Sequence, residues 1–295
     1  MDWDDLRIFL AVARGESLSA AGRVLKIDPA TVGRRIARLE EAMGARLFAK
    51  GPLGYAISEE GTRLLSHAEE VEAAMKAASE SLSGPEGLTG QIRIGAPDGS
   101  ANYLLPQVLA EICDQNPGLE VQIVALPRVF NLSKREADMA ISVSAPSAGR
   151  LTVQKITDYR LHLAASRKYL DRTGPIRTRA DLKGRRIIGY IPDMIFDKEL
   201  DYLGEIGVKV ATLASNSVSV QFNWVRTGAG VAIVHDFVIP LEPDVEILLR
   251  DEISLTRSFY LIRHPDDRRS ERLNRFAEAL TRGLKQEVAR LEALT

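Results

Sequence analysis

Cysteine is almost missing from this chain: Cys113 is the only one in 295 residues. That excludes an internal disulfide framework and a cysteine-rich zinc module. The four histidines, His67, His162, His235 and His264, have no metal-ligand spacing. A long apolar run is missing too. The longest uncharged stretch, Val210 to Val225, is broken by Ser215, Asn216, Ser217, Ser219, Gln221 and Asn223 and cannot sit in hydrocarbon. The opening Met1-Asp2-Trp3-Asp4-Asp5 is acidic where a secretory leader is basic and then apolar. There is no Gly-x-Ser-x-Gly elbow and no other nucleophile–base pairing. Gly228-Ala229-Gly230 follows a helix signal and precedes a strand signal, the reverse of a dinucleotide fingerprint, and reads as a turn. The expectation is a soluble, cytoplasmic protein that is not an enzyme and needs no cofactor.

Charge of one sign is in short supply overall, since 39 basic against 40 acidic residues leave a net of −1. The distribution is uneven. Residues 17–50 hold seven Lys/Arg against three Asp/Glu, a local basic patch that points to an anionic partner for that segment. Hydrophobic residues at 45% are ordinary for a globular chain, and the length suits two or three domains.

Residues 1–57 read as compact helices followed by a hairpin. Leu6, Phe9, Leu10 and Ala13 fall at helical spacing up to Gly15, and Ser17 caps a second short helix with Leu18, Ala21, Val24 and Leu25. Asp28 is a good N-cap and Pro29 suits the first helical position. The third helix is expected to bury Val32, Ile36, Leu39 and Met43 and to stop at Gly44. Helix, short helix, turn, third helix is the helix-turn-helix order. Residues 49–57, with Gly51, Pro52 and Gly54, read as a β-hairpin or wing.

Ser58 opens a longer helix to about Ser83 with Leu64, Ala68, Val71, Met75, Ala78 and Leu82 spaced as an a/d seam. A helix of that span is about 39 Å long. Such a stripe either packs on its own domain or pairs with a second copy. The breaker-rich Gly84-Pro85-Glu86-Gly87-Leu88-Thr89-Gly90 that follows favours a protruding helix and therefore self-association.

From Gln91 onward strand and helix signals alternate. Strands are expected around Ile92–Ala96, Val121–Val124, Met139–Val143, Leu161–Ala165, Arg186–Ile191, Val208–Leu213, Val231–Val234, Val245–Leu249 and Ser258–Ile262. Helices are expected over 100–116, 128–136, 193–205, 216–227 and from 267 to the end. This pattern is α/β with largely parallel sheets.

The outer face of the third helix presents Ala30, Thr31, Arg34, Arg35 and Arg38. A helix in the major groove reads bases with its N-terminal residues, so Thr31 and Arg34 are the base-contact candidates. Arg35, Arg38 and Lys50 of the wing are the phosphate candidates. A solvated helix face is the plainer alternative. Further along, helices begin at Asp98-Gly99-Ser100, Arg128, Asp193 and Ser215-Asn216-Ser217. Their N-termini offer free N–H groups to a carboxylate or similar anion, although each is also the cap any helix needs.

The stretches Leu6-Arg7-Ile8-Phe9-Leu10-Ala11-Val12-Ala13, Ser17-Leu18-Ser19-Ala20-Ala21 and Pro29-Ala30-Thr31-Val32-Gly33-Arg34-Arg35-Ile36-Ala37-Arg38-Leu39-Glu40 resemble the winged helix-turn-helix of LysR-type transcriptional regulators. Gly44-Ala45-Arg46-Leu47-Phe48 and Ile57-Ser58-Glu59-Glu60-Gly61 are similar to the signature after it. Leu104-Leu105-Pro106, Ala137-Asp138-Met139-Ala140-Ile141 and Gly228-Ala229-Gly230-Val231-Ala232-Ile233 resemble the family's effector domain. The resemblance covers essentially the whole chain. It departs at Pro29 and Gly33, where the family commonly has Gln and Ser, and at Leu53, where the wing often carries an arginine. Those departures put particular base contacts in doubt and shift weight to Arg34, Arg35 and Lys50.

The resemblance implies an N-terminal all-α winged helix-turn-helix with a long linker helix, and a C-terminal α/β periplasmic-binding-protein-like effector domain of two Rossmann-like lobes. The corresponding boundaries are 1–57 for DNA binding, 58–83 for the dimerisation helix, 84–90 for a hinge and 91–295 for effector binding. Lobe I takes about 91–161 and 266–295, and lobe II about 162–265. Implied partners are double-stranded promoter DNA, a small and by the helix N-termini anionic effector, and the chain itself as a homodimer and homotetramer. Ser100, Arg128, Ser215 and Ser217 are the effector-binding candidates. The rival reading is a cytoplasmic solute-binding or enzyme-like α/β protein with a degenerate DNA-binding domain.

Overall fold

The computed structural model describes residues 2–51, 54–81, 87–125, 137–146, 151–208 and 210–295. The chain divides into two compact units, one built on residues 1–86 and taking in 264–274, the other on 87–130, 137–263 and 275–295.

In the first unit, α1 (Trp3–Gly15), α2 (Leu18–Leu25) and α3 (Pro29–Met43) are followed by the hairpin β1 (Phe48–Gly51) and β2 (Gly54–Ile57), then α4 (Glu59–Ser81). Ser17 Oγ accepts from Ala20 N at the start of α2, and the Asp28 carboxylate accepts from Ala30 N and Thr31 N at the start of α3. The α2–α3 turn is tight enough to require Gly22, because a Cβ there would lie 2.7 Å from the Ile27 carbonyl oxygen. Gly44, left-handed at φ 63°, ends α3.

One core holds these elements together: Phe9, Leu10 and Val12 of α1, Ala21 of α2, Val32, Ile36 and Leu39 of α3, Leu47, Phe48 and Ala68. Each large side chain buried there contributes about 1.5–3 kcal/mol. Met43 does not join them. It is 43% exposed, since Leu39 is the last core residue of α3 and the final turn runs past the packed face.

The second unit carries a seven-stranded sheet ordered β10-β6-β11-β5-β3-β4, with β9 also paired to β6. Its strands are β3 (Gly90–Ala96), β4 (Leu119–Ala125), β5 (Met139–Ser142), β6 (Thr152–Ser166), β9 (Ala232–His235), β10 (Val245–Leu248) and β11 (Ser254–Arg263). Only β3 with β4 and β3 with β5 are parallel in that sheet; β6 pairs antiparallel with β9, β10 and β11. The sheet is therefore mixed rather than largely parallel. The reason is β6, whose 15 residues extend well before the apolar stretch at Leu161–Ala165 and form a ladder with the whole of β11. The ladder shifts register between Phe259 and Tyr260.

A separate parallel pair joins β7 (Ile188–Gly189) and β8 (Leu213–Ala214). The two are shorter than their apolar stretches suggest. The helical segments are α5 (Asp98–Tyr103), α6 (Leu105–Asp114), α7 (Arg167–Thr173), α8 (Val218–Arg226) and α9 (Glu271–Glu292). The helix expected over 193–205 is absent. Three short 3-10 turns stand there, at Pro192–Met194, Lys198–Leu200 and Gly204–Ile206, divided by extended residues at Ile195, Asp197 and Asp201 and closed by left-handed Gly207. Asp197 caps the second turn by accepting from Glu199 N. Pro265–Arg269 is likewise a 3-10 turn, so the closing helix begins at Glu271. The segment expected to be helical at 128–136 lies outside the described residues.

Candidate DNA-reading face and effector cleft

On α3, Arg34 is exposed and its Nη2 donates to Thr31 Oγ1 at 3.0 Å. No carboxylate lies within ion-pair distance of Arg34 among the described residues. Its neighbours are engaged. Arg35 Nε donates to Asp5 Oδ1 at 2.5 Å and its Nη2 to Asp4 at 3.1 Å, while Arg38 Nη2 reaches both Asp5 oxygens at 2.7 Å. The Asp5 side chain is only 4% exposed, Arg35 26% and Arg38 55%. Burial works to raise the Asp5 carboxyl, but hydrogen bonds from Arg38 and Arg35 outweigh it and hold the pKa below its usual 3.8. Two of the three arginines thus brace α3 onto α1, and the Thr31–Arg34 pair stands clear. Lys50 sits in β1 opposite Tyr55. Leu53 lies outside the described residues.

The seam on α4 divides in two. Ala68 is buried and Leu64 half-buried against the core of the same unit. Beyond them Val71 is 41% exposed, Met75 52%, and Ala78 is exposed as well. Leu82 lies outside the described residues. Own-domain packing therefore accounts for Leu64 and Ala68 and leaves Val71, Met75 and Ala78 exposed.

In the second unit a cleft lies where α5 meets α8. Asp98, first residue of α5, accepts through Oδ2 from Ser219 N at 2.8 Å and from the Ser217 and Ser219 hydroxyls at 3.0 Å each. Its Oδ1 accepts from Asn102 Nδ2 at 3.0 Å. Tyr103 packs edge-on to Phe222 of α8 with centroids 6.0 Å apart. Burial pushes the Tyr103 hydroxyl up, against a hydrogen bond with Ser219. The enclosed space beside Asp98 measures about 20 Å3, room for roughly one water molecule. Its walls include Val143, Phe196 and Phe259, and its polar lining includes Asp98, Ser100 and His235.

The expected effector-binding residues have distinct places here. Ser100 is fully buried and lines this space, with its hydroxyl donating to Pro97 O at 3.1 Å. Ser217 caps α8, accepting from Val220 N at 3.2 Å while donating to Asp98. Ser215 Oγ accepts from Ser217 N at 3.1 Å and so supports the cap. Arg128 lies outside the described residues.

Two residues that the sequence reading passed over stand out. Asp98 marked a helix start, but nothing local indicated a bond to a helix more than a hundred positions away. His235 looked like one of four unconnected histidines; its ring stacks on Tyr159 at 5.4 Å and it is 5% exposed. Burial lowers its pKa to about 4, opposed by the Asp98 charge. The fold also gathers Glu69, His264 and Asp266, whose ligand-type atoms lie within 4.8 Å of one another, although no sequence spacing connects them. Arg14 Nη2 stands 3.9 Å from Glu69 and 2.7 Å from Glu72, supplying those carboxylates with a cation of the chain's own.

Comparison with known proteins identifies the family of both parts of the chain. Residues 3–62 match the model for the bacterial regulatory helix-turn-helix proteins of the lysR family, and residues 85–285 match the LysR substrate binding domain. The chain belongs to the LysR family: it is a DNA-binding transcriptional regulator with an effector-binding domain. It is similar to the Mau operon transcriptional activator of Paracoccus denitrificans, 29% identical over 57% of this chain and 59% of that one. It is also similar to the regulator CrgA of Neisseria meningitidis, 24% identical over 80% of each. The solved CrgA structure superposes with a TM-score of 0.60 at 22% identity, covering 96% of this chain and 99% of the other. A full-length OxyR variant from Pseudomonas aeruginosa gives a TM-score of 0.71 at 15% identity over 97% and 98%. No helix among the described residues is long and apolar enough to cross a membrane.

Proposed function

We propose that the Thr31–Arg34 edge of α3 reads promoter bases in the major groove, with Lys50 of the wing and the outer part of Arg38 on phosphates. The observation that supports this most directly is Arg34, exposed and without a carboxylate partner among the described residues, while Arg35 and Arg38 are committed to Asp4 and Asp5. Residues 1–57 form the DNA-binding part, the 58–83 helix pairs two chains through Val71, Met75 and Ala78, and the segment from 91 onward binds the effector. Effector domains make the second contact of a tetramer. A small molecule shifts the lobe arrangement only through its differential affinity for the two states. The protein acts in the cytoplasm, where promoter DNA lies, and performs no catalysis.

The test is footprinting on the DNA beside this protein's own gene. A protected, dyad-symmetric site with half-sites spaced by whole helical turns is expected. Affinity should fall with salt by about 0.9 in log K per log salt for each phosphate contact. Sequence-independent binding, or no binding in low salt, overturns the reading. Val71→Asp with Met75→Asp in the full chain should lower the mass in light scattering; an unchanged mass removes the seam from the interface.

A further inference from the structure

The N-terminus of α8 is a built anion site, and the chain fills it itself. The Ser219 amide and the Ser217 and Ser219 hydroxyls converge on one oxygen of Asp98, from 119 and 121 positions away in sequence. A helix N-terminus with its first-turn N–H groups and hydroxyls aimed at one point is what a ligand carboxylate requires. Here the carboxylate comes from the opposite side of the cleft.

A second, independent observation lies beside that clasp. His235 lines the adjoining space, is 95% buried, and has its Nδ1 enclosed without a hydrogen-bond partner. A polar atom so enclosed is costly unless something meets it. Among the described residues lining this space there is no Lys or Arg, and Asp98 carries its only fixed charge. A second carboxylate entering would face Asp98 across a poorly hydrated gap with no cation to compensate.

We propose that Asp98 is the cleft's own anionic ligand: it occupies the α8 site, holds the two lobes together without an effector, and shuts carboxylate effectors out. This rests on the reading of the cleft as the effector site. It leaves uncharged molecules that can meet His235 as the class the cleft accepts.

The experiment uses the full chain as wild type and Asp98→Ala. Thermal unfolding and operator affinity are measured in sodium acetate against sodium chloride at equal ionic strength near pH 7.5, and again with benzoate. Wild type should show no saturable shift in unfolding temperature with either carboxylate. Asp98→Ala should unfold about 5 °C lower in chloride, and acetate should restore the loss in a saturable manner. Asp98→Asn, whose amide fills the volume, should be lowered but not rescued.

Saturable stabilisation of wild type by acetate or benzoate overturns the proposal, because it shows a vacant anion site. So does an Asp98→Ala protein as stable as wild type, or one destabilised but indifferent to acetate, which makes Asp98 a plain structural contact. If Asp98→Ala does not fold, Asp98→Ser takes its place and the wild-type arm still decides. Operator affinity separates the two layers. If acetate rescues stability but no Asp98 variant changes operator binding, the effector-cleft reading fails and the anion site stands.

Discussion

Two regions of this molecule present positive potential, the outer face of α3 and the N-terminus of α8, and in both the chain's own carboxylates arrive first. On α3 the neutralisation is partial. Asp4 and Asp5 take Arg35 and much of Arg38 and leave Arg34 facing outward. At α8 it is complete, since a single Asp98 oxygen gathers three donors. The difference lies in where the acid sits. Asp5 is buried beneath α3 and approaches from the protein side, so it orders the basic face without covering it. Asp98 comes from another helix, α5, and takes the donors at the start of α8 head-on. Counting charges on a segment cannot separate these cases; only the direction of approach can.

The largest expected effect belongs to the brace. Asp5→Ala strands two guanidinium groups and should destabilise the N-terminal unit by about 3 kcal/mol, the low end for a broken buried pair because the arginines keep part of their water. Its pH signature has a definite sign. The Asp5 pKa is lowered on folding, so its contribution is complete above the unfolded value near 3.8 and is lost as pH falls through the lowered one. Urea unfolding of wild type and Asp5→Asn should converge in strong acid. If they stay parallel, the brace contributes nothing.

Arg34→Ala comes next. It should weaken the specific operator by about 30-fold, near 2 kcal/mol, relax sequence preference and leave the unfolding temperature unchanged. Arg35→Ala should do the opposite, lowering stability first. If the two variants behave alike in gel-shift and melting experiments, the division of labour on α3 is wrong.

The smallest effect is on the cleft side. His235 takes up its proton near pH 4 when folded against about 6.5 when unfolded, so the unfolded state binds more protons between those values. Stability is therefore retained above about pH 6.5 and declines as pH falls towards 4. Wild type should lose about 1 kcal/mol between pH 7.5 and 5.5 that His235→Phe does not lose. A variant with the same slope assigns the titration elsewhere.

Local signals in the sequence reported the local structure well. Ser17, Asp28, Pro29 and Gly44 mark the ends of α2 and α3 because capping is a matter of a few neighbouring atoms. The hairpin at 48–57 and most strands of the second unit followed from apolar runs between breakers. Three features were not legible, each for a physical reason. The first half of β6 is polar and alternates weakly, and its strand state is imposed by the ladder with β11. Residues 192–206 carry apolar spacing suited to a helix, but extended residues at Ile195, Asp197 and Asp201 divide them into single turns. The engagement of Arg35, Arg38 and the α8 cap depends on acids distant in sequence or on another element, which no pattern within one helix contains.

The long β6–β11 ladder has a mechanical consequence. Its strands run from the end beside β5 to the end beside β9 and β10, so the two lobes share one continuous ribbon rather than a flexible tether. Any reorientation of the lobes would have to twist that ribbon, whose ladder is interrupted at the register shift between Phe259 and Tyr260. Phe259 stacks on Tyr159 at 4.2 Å and lines the small cavity, so the interruption of the ladder and the wall of the cleft share a residue. A molecule seated in that cavity would touch the interruption of the ribbon itself, so occupancy of the cleft and twist of the sheet would be mechanically linked through Phe259.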